Sequence, residues 1–146
     1  AAQDWALLLL AEPLGDKVGW VALGAAPDPA DWLVTVGYGQ DKAHIPAAHL
    51  GCHDAGRLDS GVLTHDCDAV HGDSGAPVLV WKNGAPTLAA IHVATFGFGD
   101  GKFLGGAVPV AAFAAEAGKQ GARSAGQAGA MSRPLDGSVA DRVTGR

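Results

Sequence analysis

The sequence is poor in cysteine (two), methionine (one), tyrosine (one) and positive charge, with 10 lysines and arginines among 146 residues. It also lacks a long apolar run. The most apolar stretch, DWALLLLAEPLG, starts on a charge at Asp4 and is far shorter than the roughly eighteen residues of a membrane-crossing helix, so no membrane is expected as a partner. The formal net charge is −5. Residues 1–118 carry 5 basic and 13 acidic side chains, a net of −8, and residues 119–146 carry 5 and 2, a net of +3. An acidic body argues against nucleic acid, because phosphate binding needs a concentrated basic surface. Cys52 and Cys67 have no CxxC or His/Cys ligand spacing around them, so a zinc site is not expected, and neither a metal nor an organic cofactor is indicated. A Cys52–Cys67 disulfide would suit a secreted or periplasmic protein, whereas two free thiols would suit a cytosolic one. The opening AAQDWALL has no charged leader region.

Glycine is abundant, with 22 residues beside 8 prolines, and it punctuates short apolar runs. Residues 4–11 read as a buried strand closed by the turn residues Pro13 and Gly15. Val18 to Leu23 is a second apolar run, and WLVTVGYG reads as a strand ending in a Gly-aromatic-Gly bend. AHIPAAHLGC alternates, and HDAGRLDSG is rich in turn residues. VLTHDC, APVLVW, TLAAIHVATFG and FLGGAVPV are further strands, with NGAP as a hairpin turn between the second and third of these. AAFAAEAGK predicts a short helix near the end. Residues 119–146 have few apolar side chains and no period, and are expected to be a disordered tail. The expected class is all-β, a barrel or sandwich.

The chemistry concentrates in HDCDAVHGDSGAPVLV. A serine hydroxyl needs a neighbouring base to become a nucleophile. The tetrahedral intermediate of acyl transfer needs donors aimed at its oxyanion. Gly72, two residues before Ser74, allows a sharp backbone turn, so that the N–H groups of Gly72 and Ser74 can converge on one point. Gly75 relieves crowding behind the hydroxyl. By itself, a serine in a glycine loop is more often structural than catalytic.

GDSGAPV, preceded by DCDAVH and followed by a strand and AAIHVATFG, resembles the nucleophile region of trypsin-like (chymotrypsin-fold) serine peptidases. Asp4 in DWALLLLAEPL resembles the family's catalytic aspartate segment, and Gly37-Tyr38-Gly39 its Gly-aromatic-Gly bend. The order of the three also matches, over about residues 3–115. The resemblance implies a Greek-key β-barrel over residues 16–118, with residues 1–15 as the last strand of a first barrel and its crossover. It implies a peptide or protein substrate, Ser74 as nucleophile, Asp4 as the residue orienting a histidine, and Gly72 with Ser74 as the oxyanion hole. Asp73 would be a structural anchor beneath that hole.

One part of the pattern is missing. In this family the base lies in a motif resembling TAAHC ahead of the aspartate, and only Ala1, Ala2 and Gln3 precede Asp4. The expectation is that the histidine resides on a segment outside these residues, and that this chain alone turns over peptides negligibly. The subtilisin and α/β-hydrolase orders fit less well, because GDSGAP lacks their serine segments and no strand–helix alternation surrounds it. His44, His49, His53 and His65 are expected to be surface or loop residues.

By the same resemblance Asp68, six residues before Ser74, would lie at the base of the primary specificity pocket, and His71, His92 and Val93 would line the cleft. A carboxylate there implies cleavage after basic residues. His92 also matches the histidine of glutamyl endopeptidases, which implies acidic substrates instead, although Ala69 replaces the hydroxyl residue expected beside the aspartate. The competing expectation is a peptidase-like module that binds peptide without hydrolysis.

Overall fold

The computed structural model describes residues 2–128. A five-residue helix α1 (Leu14–Val18) precedes eight strands: β1 (Ala22–Leu23), β2 (Leu33–Gly37), β3 (Ala47–Cys52), β4 (Asp54–Arg57), β5 (Leu63–His65), β6 (Pro77–Lys82), β7 (Ala85–Gly97) and β8 (Phe103–Pro109). Helix α2 (Ala114–Ala128) follows. No helix among the described residues is long and apolar enough to cross a membrane.

The strands form one sheet in the order β3-β2-β6-β7-β8-β5-β4, all neighbours antiparallel, with β1 added to β7 in parallel. Its first and last members are two halves of one run of chain, separated by His53. The sheet therefore curls back on itself into a barrel-like body. Its interior is small and branched: Leu33, Leu63, Val78, Val80, Ala89, Ala90 and Ala107 pack with Cys52 and Cys67. Those cysteines form a disulfide, with Cα atoms 4.9 Å apart.

Local chemistry explains most boundaries. Asn83 and Gly84 both adopt left-handed φ, 53° and 78°, which a two-residue hairpin requires, and Lys82 then pairs with Ala85 across β6 and β7. Lys82 Nζ reaches Asp28 and Asp31 at 3.0 and 2.9 Å and ties the loop ahead of β2 to β6. That pairing lowers the Asp31 pKa and raises that of Lys82.

Two expectations are corrected. Residues 4–11 are not a buried strand: the segment joins no sheet, and Leu8, Leu9 and Leu10 are 84%, 71% and 63% exposed. A run of leucines fills a strand only when a second apolar surface covers it, and among the described residues none does. Trp5 alone is anchored, its ring 5.9 Å from that of Phe113 in a cluster with Val108, Val110, Ile91 and Val93. Helix α2 also runs beyond Gly118, through ten residues assigned to the tail. Glu116 accepts from Lys119 and Gln120 one turn on, spacings that support a helical turn. The expected disorder of residues 129–146 lies outside the described residues.

Candidate functional site

Ser74 sits in the loop between β5 and β6, and backbone pairing fixes the C-terminal side of the loop. Gly75 N–H donates to His92 O at 2.8 Å, and His92 N–H donates to Ala76 O at 2.9 Å. This lays the serine loop directly against the middle of β7. Within the loop, Ala76 N–H donates to Asp73 O and Asp73 N–H to Val70 O, making two consecutive turns around Gly72 and Ser74.

The Gly-aromatic-Gly bend supports the loop from the other side. Gln40 N–H donates to His71 O at 2.6 Å. A Cβ on Gly72 would stand 2.9 Å from both Gln40 N and Tyr38 O, and Gly72 has φ +103°. Only glycine meets both conditions. A Cβ on Gly37 would run into Asp73 Oδ1. Asp73 is half-buried, and its Oδ2 accepts the Val70 N–H at 2.9 Å. It is thus the brace of the loop, and Val70 is the partner that sequence alone did not identify.

The N–H groups of Gly72 and Ser74 have no acceptor among the described residues. The Ser74 hydroxyl is exposed and has no hydrogen-bonded base among them. Two cavities meet at this residue. One, of ≈ 320 Å³, is walled by Val36, Tyr38, Gly72 and Pro77. The other, of ≈ 640 Å³, is lined by Asp68, His71, His92, Val93 and Phe103. Ser74, Gly72, Asp68, His71, His92 and Val93 are therefore brought to one place. A third cavity of ≈ 260 Å³ lies behind the loop, between Asp73, His49 and Asp41.

Asp4 stands apart from this group. It is exposed and makes no hydrogen bond among the described residues. Its neighbour Trp5 packs in the same cluster as Ile91 and Val93, the residues flanking His92. The carboxylate is thus tethered to the β7 end of the site without touching it.

Asp68 is exposed on the pocket wall rather than sunk beneath it. Its backbone N–H donates to His49 Nδ1 in a short hydrogen bond, and the adjacent Cys67 is locked to Cys52. His53 N–H donates to Asp66 Oδ1 one residue further back. Three links thus hold the segment that carries Asp68.

The main surprise is His65, expected at the surface and found with no exposed area. Its Nε2 lies 3.2 Å from Nδ1 of His92, itself 3% exposed, with the rings edge to face. His65 Nδ1 is the buried side-chain polar atom left without a partner among the described residues. Desolvation, reinforced by the neighbouring His92, pushes the His65 pKa down to about 4. Desolvation also lowers the His92 pKa, against the opposing pull of the Asp73 charge. Both rings are neutral near pH 7.

No protein-family model matches the chain, and no curated protein matches it. What the molecule defines by itself is a disulfide-bridged, mostly antiparallel, barrel-like protein with an exposed serine in a glycine-flanked loop.

Proposed function

We propose that this chain carries the nucleophile and substrate pocket of a serine endopeptidase with a chymotrypsin-like Greek-key barrel. Two unengaged amides flanking one exposed hydroxyl support this reading most directly. Both residues are exposed, so their N–H groups are open to an incoming acceptor beside the serine hydroxyl, as an anion-receiving role requires. In the proposed reaction Ser74 Oγ attacks the scissile carbonyl while an imidazole takes its proton. The carbonyl π electrons move onto oxygen, which accepts from Gly72 and Ser74 N–H. Collapse expels the amine, which takes the proton back from the imidazolium, and water then releases the acyl group by the same steps.

The imidazole would come from a further β-domain that covers the leucines at positions 7–10 and orders Asp4 against the histidine. The uncovered leucines and the tethered Asp4 support that arrangement. The absence of a hydrogen-bonded base beside Ser74 among the described residues supports a second reading, in which the pocket binds peptide without hydrolysis.

A peptide boronic acid added to the isotope-labelled chain with free imidazole tests the first reading: its trigonal boron becomes tetrahedral when Ser74 Oγ adds and the hydroxyl proton passes to the imidazole. Its adduct with Ser74 should shift the Gly72 and Ser74 amide resonances, and Ser74→Ala should abolish the shift. Unmoved amides would overturn the nucleophile assignment. Ester turnover restored by free imidazole, and lost in Ser74→Ala, separates hydrolysis from simple binding. The chain without imidazole is expected to show negligible turnover.

A further inference from the structure

The ≈ 640 Å³ cavity beside Ser74 presents two polar side chains of opposite hydrogen-bonding sense, His92 and Asp68. Their character follows from what lies behind them. His65 has one engaged nitrogen and one orphaned nitrogen. Were the proton on His65 Nδ1, a buried N–H donor would go unpaired. With the proton on Nε2, the orphan is a bare acceptor, which is the less costly vacancy. His65 Nε2–H therefore donates to His92 Nδ1, and the remaining proton of neutral His92 sits on Nε2.

His92 Nε2 has no partner among the described residues, yet it is not among the sealed polar atoms, so it reaches open space. His92 and Asp68 line this cavity and also the ≈ 260 Å³ one behind the loop, so the wall between the two carries a neutral N–H donor from His92 and the Asp68 carboxylate. Neither group matches a single-charge side chain alone. A guanidinium or ammonium would satisfy Asp68 but face the His92 donor, and a carboxylate would satisfy His92 but face the Asp68 charge.

We infer that this pocket selects a primary carboxamide, the side chain of glutamine, with its carbonyl accepting from His92 Nε2–H and its amide N–H donating to Asp68. His65 acts as a positioning residue, fixing the His92 tautomer that makes the donor. The inference rests on the endopeptidase reading and names the substrate class for its pocket. It replaces the basic preference that Asp68 alone implies. Gly105 on β8 leaves the space that the buried His65 ring occupies.

Binding of product-like peptides tests this without requiring turnover. Acetyl-Ala-Ala-Gln, -Glu and -Arg, each with a free terminal carboxylate, are titrated into the full chain at pH 7. Amide shifts of Gly72 and Ser74 and imidazole nitrogen shifts of His65 and His92 are the readouts. The glutamine peptide should bind about tenfold tighter than either charged peptide, the worth of one hydrogen bond to a charged group. Asp68→Ala, at an exposed position, should bring the glutamate peptide level with the glutamine one. Nitrogen shifts should place the His92 proton on Nε2 before any peptide is added. If Gly72 and Ser74 respond but arginine or glutamate binds as tightly as glutamine, or if His92 carries its proton on Nδ1, the carboxamide pocket is overturned and the endopeptidase reading survives. If no peptide moves Gly72 and Ser74, both fall together.

Discussion

His65 and Gly105 are partners across β5 and β8, and a Cβ on Gly105 would occupy the space of the His65 imidazole. A large polar ring on one strand is accommodated by the absence of a side chain on the next. Gly105→Ala should therefore overpack the barrel and lower unfolding stability by about 2 kcal/mol, measured by urea denaturation. An unchanged midpoint would mean that the ring has room to move.

The buried imidazole also makes stability depend on pH. The unfolded His65 protonates near 6.5 and the folded one near 4, so between those values the unfolded state binds more protons. Its contribution is fully present above pH 6.5 and is lost as pH falls toward 4, by about 3 kcal/mol. The lowered pKa of His92 acts in the same sense. Chemical denaturation at pH 7.5, 5.5 and 4.5 reads this slope, and a His65→Asn chain should show a flatter one.

Gly72→Ala addresses the site directly. The added methyl meets Tyr38 O and Gln40 N at 2.9 Å and disfavours the backbone angle, so the turn must shift and Gly72 N–H must swing away. Losing one oxyanion donor costs on the order of 3 kcal/mol in acyl transfer. Boronate affinity of the variant should fall by about a hundredfold, which the same constant implies within its range. Retained affinity would show that Gly72 N–H is not a receiving group.

The Cys52–Cys67 bond closes a sequence separation of 15 and is almost wholly buried, at 3% and 4% exposure. A loop of that size contributes about 3 kcal/mol on chain-entropy grounds. The paired Cys52→Ala, Cys67→Ala variant should lose most of this in thermal unfolding. Asp68 N–H, one residue from the bridge, should exchange faster with solvent. A variant as stable as the parent would mean that packing in the barrel already holds that loop.

Much of the sheet is readable from local chemistry. Asn83-Gly84 marks the β6–β7 hairpin because two successive left-handed residues admit few other outcomes. The runs ending at Gly37 and Lys82 are strands because short branched stretches between turn residues have little alternative. The turn at Gly72 was also legible, since a glycine two residues before Ser74 allows the positive φ of 103° it adopts. His65 was not legible, because its burial depends on Gly105, forty positions along the chain. The leucines at positions 7–10 misled for a related reason: an apolar run reports a need for cover, not the presence of it. The reach of α2 past Gly118 was hidden by low apolar content, although Glu116 already had its pairing partners at helical spacing.

The joining of β3 and β4 through His53 has a further consequence. Each half pairs on one flank only, and β1 pairs only with β7, so these free borders of the sheet are just six, four and two residues long. Stacking of copies border to border, the first step toward fibres, finds no long straight template here.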